Sequence, residues 1–207
     1  QADDDFSKFR TLADLTQWNI YSPKKAPVSL DGKWLVLSDA DPFDYARVDR
    51  KIPLTKDLTV SFDIEAEQNN HGILQIEFLD EKGVSASRLE FTNDSLIRGK
   101  GGARYGNFMR YESGRTYHLE VHLSVSRRLA EFYVPVHSFE RIMLRTGIER
   151  TFPDVDTPAD WDGILNRAGD SDSLAVYKIA NFKTVSGDED RGAVFLHADD
   201  FKHYVDY

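Results

Sequence analysis

The stretch "RTYHLEVHLSV", Arg115 to Val125, alternates cleanly: Tyr117, Leu119, Val121 and Leu123 fall on one side, His118, Glu120 and His122 on the other. Side chains that alternate with period 2 belong to a strand with one face in a core and one in water. "LTVSFDIEA" (Leu58–Ala66) repeats the pattern, with Val60, Phe62 and Ile64 against Ser61, Asp63 and Glu65. Working outward, strands are expected at Lys33–Asp39, Ala46–Ile52, Ile73–Asp80, Ser85–Phe91, Arg128–Val134, Glu140–Thr146 and Leu174–Thr184. Turn residues separate them: "LDGK" at Leu30, "QNNHG" at Gln68, "DEKG" at Asp80, "GKGG" at Gly99 and "ESG" at Glu112. Helical signal is confined to "TLADL" near the start and one turn's worth of "WDGILNRAG". Ten or eleven short strands without helices predict an all-β chain of two packed antiparallel sheets, a jelly-roll sandwich, with a barrel as the alternative.

The formal net charge is −9, which argues against non-specific binding to nucleic acid or to an anionic membrane surface. The absence of cysteine excludes disulfides, thiolate zinc sites and thiol catalysis. No apolar run has the length of a membrane span. Three segments are expected: an N-terminal linker or short helix over 1–17, a sandwich over 18–185, and a tail over 186–207. The tail, "VFLHADDFKHYVDY" at its end, packs on the sandwich or leads to another domain. The stretch from Gly147 to Ser173 reads as one long acidic loop, and "GKGGARYGN" as a flexible loop at the rim.

The order of pieces carries a resemblance. "WNIYSP" leads to "WLVLSDADPFDYARVDR", then "VSFDIEAEQNNHGILQIEFLDEKG", "GRTYHLEVHLSV", "ERIMLRTG" and "YKIANFKT". From Trp18 to Val185 this resembles the concanavalin A-like (laminin-G-like) sandwiches attached to bacterial polysaccharide-degrading enzymes, sialidase and rhamnosidase types included. The resemblance implies a non-catalytic carbohydrate-binding or structural accessory module, working beside a catalytic domain in a secreted, periplasmic or cell-surface protein. Its partner would be a polysaccharide or oligosaccharide. A protein-interaction domain without a glycan site is a further reading.

In such a fold a concave sheet cradles glycan. The polar strand faces then nominate His118, Glu120 and His122, beside Gln75, Glu77, Arg88 and Glu90, with Arg104 and Tyr105 from the rim. Carboxylates, amides and guanidiniums bond hydroxyls, and aromatic rings cover apolar sugar faces. Trp34, Tyr45, Tyr105, Phe108, Tyr111 and Trp161 are the exposed aromatic candidates. Solvation alone also produces an alternating polar face.

Jelly-roll lyases and glycosidases share the architecture, so catalysis is the rival. A lyase needs a Tyr or His base and an Arg or Gln to neutralise a uronate carboxylate, which nominates Gln75, Arg88, His118 and Tyr177, with Lys178 nearby. "QIE" places Glu77 where the lyase "QIH" has histidine. Asp63, Glu65 and Glu67 share one strand face like a glycosidase's carboxylates, without the laminarinase "ExDxE" form. Sandwiches of this kind also hold structural calcium, and two clusters offer the oxygens it requires: Asp154, Asp156, Asp160 and Asp162, and Asp39, Asp41 and Asp44.

Overall fold

The structure, a computed structural model, describes residues 2–101, 104–125, 129–133, 161–169, 171–186 and 202–204. Among them are fifteen strands: β1 Ala2–Asp4, β2 Trp18–Tyr21, β3 Val28–Asp31, β4 Trp34–Asp39, β5 Ala46–Thr55, β6 Asp57–Ala66, β7 Ile73–Asp80, β8 Ser85–Phe91, β9 Leu96–Gly101, β10 Arg104–Arg110, β11 Thr116–Ser124, β12 Leu129–Tyr133, β13 Trp161–Gly169, β14 Ala175–Ser186 and β15 Lys202–Tyr204. They form two antiparallel sheets. The eight-stranded sheet runs β15-β12-β11-β6-β14-β4-β3, with β1 paired to β14; the seven-stranded sheet runs β10-β9-β8-β7-β13-β5-β2. No helix among the described residues is long and apolar enough to cross a membrane.

The alternation places the core where the sequence puts it. Tyr117, Leu119, Val121 and Leu123 of β11 and Val60, Phe62 and Ile64 of β6 are buried, facing Val48, Leu74, Ile76, Phe78, Leu89 and Phe91 of the other sheet. Edge-on aromatic contacts link Phe6 to Trp18 at 5.6 Å and Trp18 to Phe182 at 5.1 Å, and Phe182 lies 5.5 Å from Phe62. Glycine is required at one turn above all. Gly72, ending "QNNHG", has φ +73°, and a Cβ there would lie 2.6 Å from Ala175 Cβ and 3.0 Å from the Tyr177 hydroxyl. Gly72→Ala is expected to cost about 2–3 kcal/mol, from overpacking and left-handed strain together. Urea unfolding checks it, and a cost below 0.5 kcal/mol would show that the neighbours yield.

Three expectations are corrected. The span read as a loop from Gly147 to Ser173, with at most a helical turn in "WDGILNRAG", contains β13, which sits mid-sheet between β7 and β5. Its pattern is inverted: Asn166 faces the core, fully buried, while Leu165 lies on the outward side. Two neighbouring strands hold it in place, so pairing overrides periodicity. The glycine-rich stretch is likewise a hairpin, β9 with β10. Gly99, Gly101 and Gly106 have no side chains to show an alternation. Finally, residues 2–17, expected as a linker or short helix, form the short turn expected at "TLADL" but are built into the sandwich rather than lying apart as a linker. β1 pairs with β14, Phe6 is wholly buried, and 3-10 turns form at Phe6–Lys8 and Leu12–Asp14. In the tail, Lys202–Tyr204 pairs with β12. The strand expected over Glu140–Thr146 lies outside the described residues.

Candidate functional site

Because β7 turns Leu74, Ile76 and Phe78 inward, Gln75 and Glu77 face outward from the seven-stranded sheet. Register then assembles a row across all seven strands: Asn107, Arg98, Glu90, Gln75, Arg167, Arg47 and Tyr21. The members are wired together. Arg98 Nε donates to Glu90 Oε1 at 3.1 Å, and Gln75 Nε2 donates to Glu90 Oε2 at 2.9 Å. Arg167 in turn donates to Gln75 Oε1. A second row holds Lys100, Arg88, Glu77, Leu165, Asp49 and Asn19. There Arg88 pairs with Glu77 at 3.0 Å and Arg47 reaches across to Asp49 at 3.5 Å. Four guanidiniums thus meet three carboxylates on one face of a chain whose net charge is −9. Two of those carboxylates are buried, Glu90 at 3% and Asp49 at 6% side-chain exposure, while the Arg47 side chain is 41% exposed. These acceptors fix guanidiniums whose side chains stay partly exposed, 24% for Arg88, 30% for Arg98 and 41% for Arg47.

One end of this face is aromatic. Arg167 lies over the Tyr45 ring at 5.2 Å, and Tyr45 packs at a tilt against Tyr21, ring centroids 5.4 Å apart. The Tyr21 hydroxyl donates to Asp44 Oδ2 at 2.9 Å. Phe43, two residues before Tyr45, is 96% exposed.

The sequence grouped His118, Glu120 and His122 with Gln75, Glu77, Arg88 and Glu90 on one surface. The structure separates them: β11 belongs to the eight-stranded sheet, so its polar face points away from the other set. Nor do the three β11 residues share one environment. His118 is half exposed, Glu120 partly so, and His122 is buried at 3%, bonded to Glu120 at 3.3 Å and packed on Tyr133 at 4.5 Å. Phe108 and Tyr111, read as exposed aromatics, are core residues. Trp34 and Tyr45 are partly exposed. Arg104 and Tyr105 lie on β10, Tyr105 in register with Lys100; Trp161 and Asp162 lie on β13. The residues missed are Arg98 and Arg167, hidden in segments without alternation, and Phe43. Arg47 and Asp49 were missed as well, although the alternation of "ARVDRKI" carried their direction.

The rival catalytic set is not brought together. Gln75 and Arg88 are on one outer face, His118 on the opposite one, and Tyr177 is fully buried between the sheets, where burial pushes its phenol far above the ordinary range. Lys178 lies on the His118 side, bonded to Glu67 at 3.0 Å, and Glu65 accepts from Thr116 at 3.0 Å. Asp63 accepts from His118 Nδ1 and Asn181 Nδ2, each at 2.8 Å. Burial pushes the Asp63 carboxyl up, but those two hydrogen bonds, aided by charge on His118 and Lys33, outweigh it and hold the pKa below its ordinary value. A depressed folded pKa contributes stability above the unfolded value of about 3.9 and loses it as pH falls through the folded value. Asp63→Asn should therefore destabilise at pH 6, with the gap to wild type closing below about pH 4. Urea midpoints measured across that range check it; a gap independent of pH would remove Asp63 from the account.

Among the described residues no three His, Asp or Glu side chains converge as a metal group. Asp39, Asp41 and Asp44 instead cap their own loop: Asp39 Oδ1 accepts from Asp41 N, Asp41 Oδ1 from Phe43 N and Asp44 Oδ1 from Tyr45 N. They do not fit a calcium cradle. Asp154, Asp156 and Asp160 lie outside the described residues.

A family model for the "Sialidase-like, CBM domain" matches residues 18–161. The chain belongs to this family of carbohydrate-binding modules. A solved sialidase contains a similar unit, with 45% sequence identity and a TM-score of 0.80 over 95% of this chain and 20% of that one. The module therefore spans about a fifth of that relative's length. An endo-beta-1,3(4)-glucanase of family GH16 shares the fold at 10% identity and TM-score 0.60, covering 88% of this chain and 89% of that one. An alginate lyase of polysaccharide lyase family 7 does so at 10% identity and TM-score 0.56, covering 83% and 95%. No curated protein matches the chain. The module is thus a jelly-roll, concanavalin A-like sandwich.

Proposed function

We propose that this module binds acidic glycan on the outer face of the seven-stranded sheet and holds it near a catalytic domain of a sialidase-like protein. The observation that carries the reading is the Arg98–Glu90–Gln75–Arg167 relay with Arg88 and Arg47 beside it. Glu90 accepts from Arg98 and Gln75, and Gln75 accepts from Arg167, which fixes guanidiniums whose planar forks suit a sugar carboxylate or sulfate. Family membership supports the glycan. The excess of arginine on this face supports its negative charge. A secreted, periplasmic or cell-surface setting fits the same reading, since acidic polymers and glycoconjugates are met outside the cytoplasm.

The test is affinity electrophoresis of the module through gels containing polygalacturonate, a sialylated mucin or neutral β-glucan. Retardation by an acidic polymer that weakens as salt rises is the expected result. Equal retardation by the neutral glucan, insensitive to salt, would remove the arginines from the reading.

Calcium is a separate proposal. It rests on Asp154, Asp156, Asp160 and Asp162 alone. A resident ion would raise the melting temperature, by about 2.7 kcal/mol of stability at a hundred times its dissociation constant. Superimposable melting curves in calcium and in chelator would dismiss it.

A further inference from the structure

Phe43 has no evident role in folding. The residue is 96% exposed, the most exposed large apolar residue among the described residues, on a loop that is otherwise tightly tied. Asp39 and Asp41 cap successive amides up to Phe43 N, at 3.2 and 2.9 Å. Beyond it, Asp44 accepts from Tyr45 N and from the Tyr21 hydroxyl, each at 2.9 Å. These bonds hold Phe43 up rather than letting it fold onto the protein. The loop joins β4 of one sheet to β5 of the other, so it rounds one end of the sandwich. It runs directly into Tyr45, which carries Arg167 over its ring and Tyr21 beside it. Tyr21 is itself 45% exposed. The arginine row therefore ends in an aromatic corner, the Tyr45–Tyr21 pair with Phe43 two residues before Tyr45 on the same loop.

The spacing sets the ligand's size. Gln75 on β7 and Tyr21 on β2 are three strand spacings apart, about 14 Å. A pyranose ring held at the Arg98–Glu90–Gln75 end of the relay does not reach the aromatic end, where Arg167 lies over Tyr45. Building on the glycan-binding reading above, we infer that Phe43, with Tyr21 and Tyr45, forms a second sugar subsite. The acidic unit lies on the arginine row, and a following unit of the same chain stacks its apolar face on the aromatic corner. The module then prefers an oligosaccharide to a lone acidic sugar. Rings suit this role because they offer a flat apolar surface at little entropic cost.

Isothermal titration of wild type, Phe43→Ala and Phe43→Trp tests the inference. The probes are N-acetylneuraminic acid against sialyllactose, and galacturonic acid against trigalacturonate, which also tells which acid the row accepts. Wild type should bind one of the trisaccharides about tenfold or more tighter than its monosaccharide. Phe43→Ala should erase that advantage while leaving monosaccharide affinity and melting temperature unchanged, and Phe43→Trp should retain it. Wild type binding monosaccharide and trisaccharide alike would overturn the subsite while leaving the glycan-binding reading standing. So would an unaltered trisaccharide affinity in Phe43→Ala. If wild type binds none of the four, the arginine row takes no sugar carboxylate and the subsite falls with it.

Discussion

Asp4→Ala is expected to lower the stability of this module by about 3–5 kcal/mol. Arg50 is the exception on β5: it points inward between Val48 and Ile52, beside Trp18 and Ile164 in register. Its charge is met by Asp4 on the N-terminal strand, with Nε to Oδ2 at 2.8 Å, and the two side chains are only 9% and 13% exposed. The same Asp4 oxygen accepts from Trp18 Nε1 at 3.0 Å. Removing the carboxylate strands a guanidinium in the end of the core with the Lys51 carbonyl as its remaining bonded partner, and frees the indole N–H as well. For a domain of this size the loss is a melting shift of roughly 10 °C. Asp4→Ala with Arg50→Met should recover much of it, because the uncompensated charge is gone while the volume is kept. Calorimetry on the two variants decides. A shift below about 2 °C for Asp4→Ala would mean that β1 peels away at little cost.

Changing Arg47 and Arg167 together to Gln should weaken binding of the acidic ligand about 100-fold. Charge-assisted hydrogen bonds are worth roughly 1.5–3 kcal/mol each, and about 1.4 kcal/mol is tenfold in affinity. Glutamine keeps a donor for the neighbours each arginine serves, Asp49 and Gln75, so folding should change little. By contrast His118→Ala, half exposed on the opposite face, should leave affinity where it was. Titration of both variants with one acidic oligosaccharide checks the assignment of faces. Loss of binding in His118→Ala and not in the arginine pair would move the site to the eight-stranded sheet.

The strands with strong alternation were legible residue by residue. Ile73–Asp80 and Ser85–Phe91 coincide with their expected limits, and Leu58–Ala66 and Arg115–Val125 differ by a residue or so at each end. There the burial of every second side chain writes itself into composition. β13, β9 and β10 were illegible because glycine, an inward asparagine and an outward leucine carry no such signature, and neighbouring strands hold them. The site followed the same division. Gln75, Glu77, Arg88 and Glu90 were nominated correctly as outward and polar, yet joined to His118, Glu120 and His122, which lie behind the sandwich.

What the sequence by itself determined is which side of each regular strand is wet, and hence a two-sheet antiparallel sandwich, because period-2 alternation is local information. Which strands become neighbours is not local. Sheet order alone put Arg98, Glu90, Gln75, Arg167 and Arg47 in one line from five strands spread over 120 positions of the chain, Arg47 to Arg167, and sent β11 to the opposite face. Hydrogen-bonded pairing between strands far apart in sequence made that choice, and only the folded chain contains it.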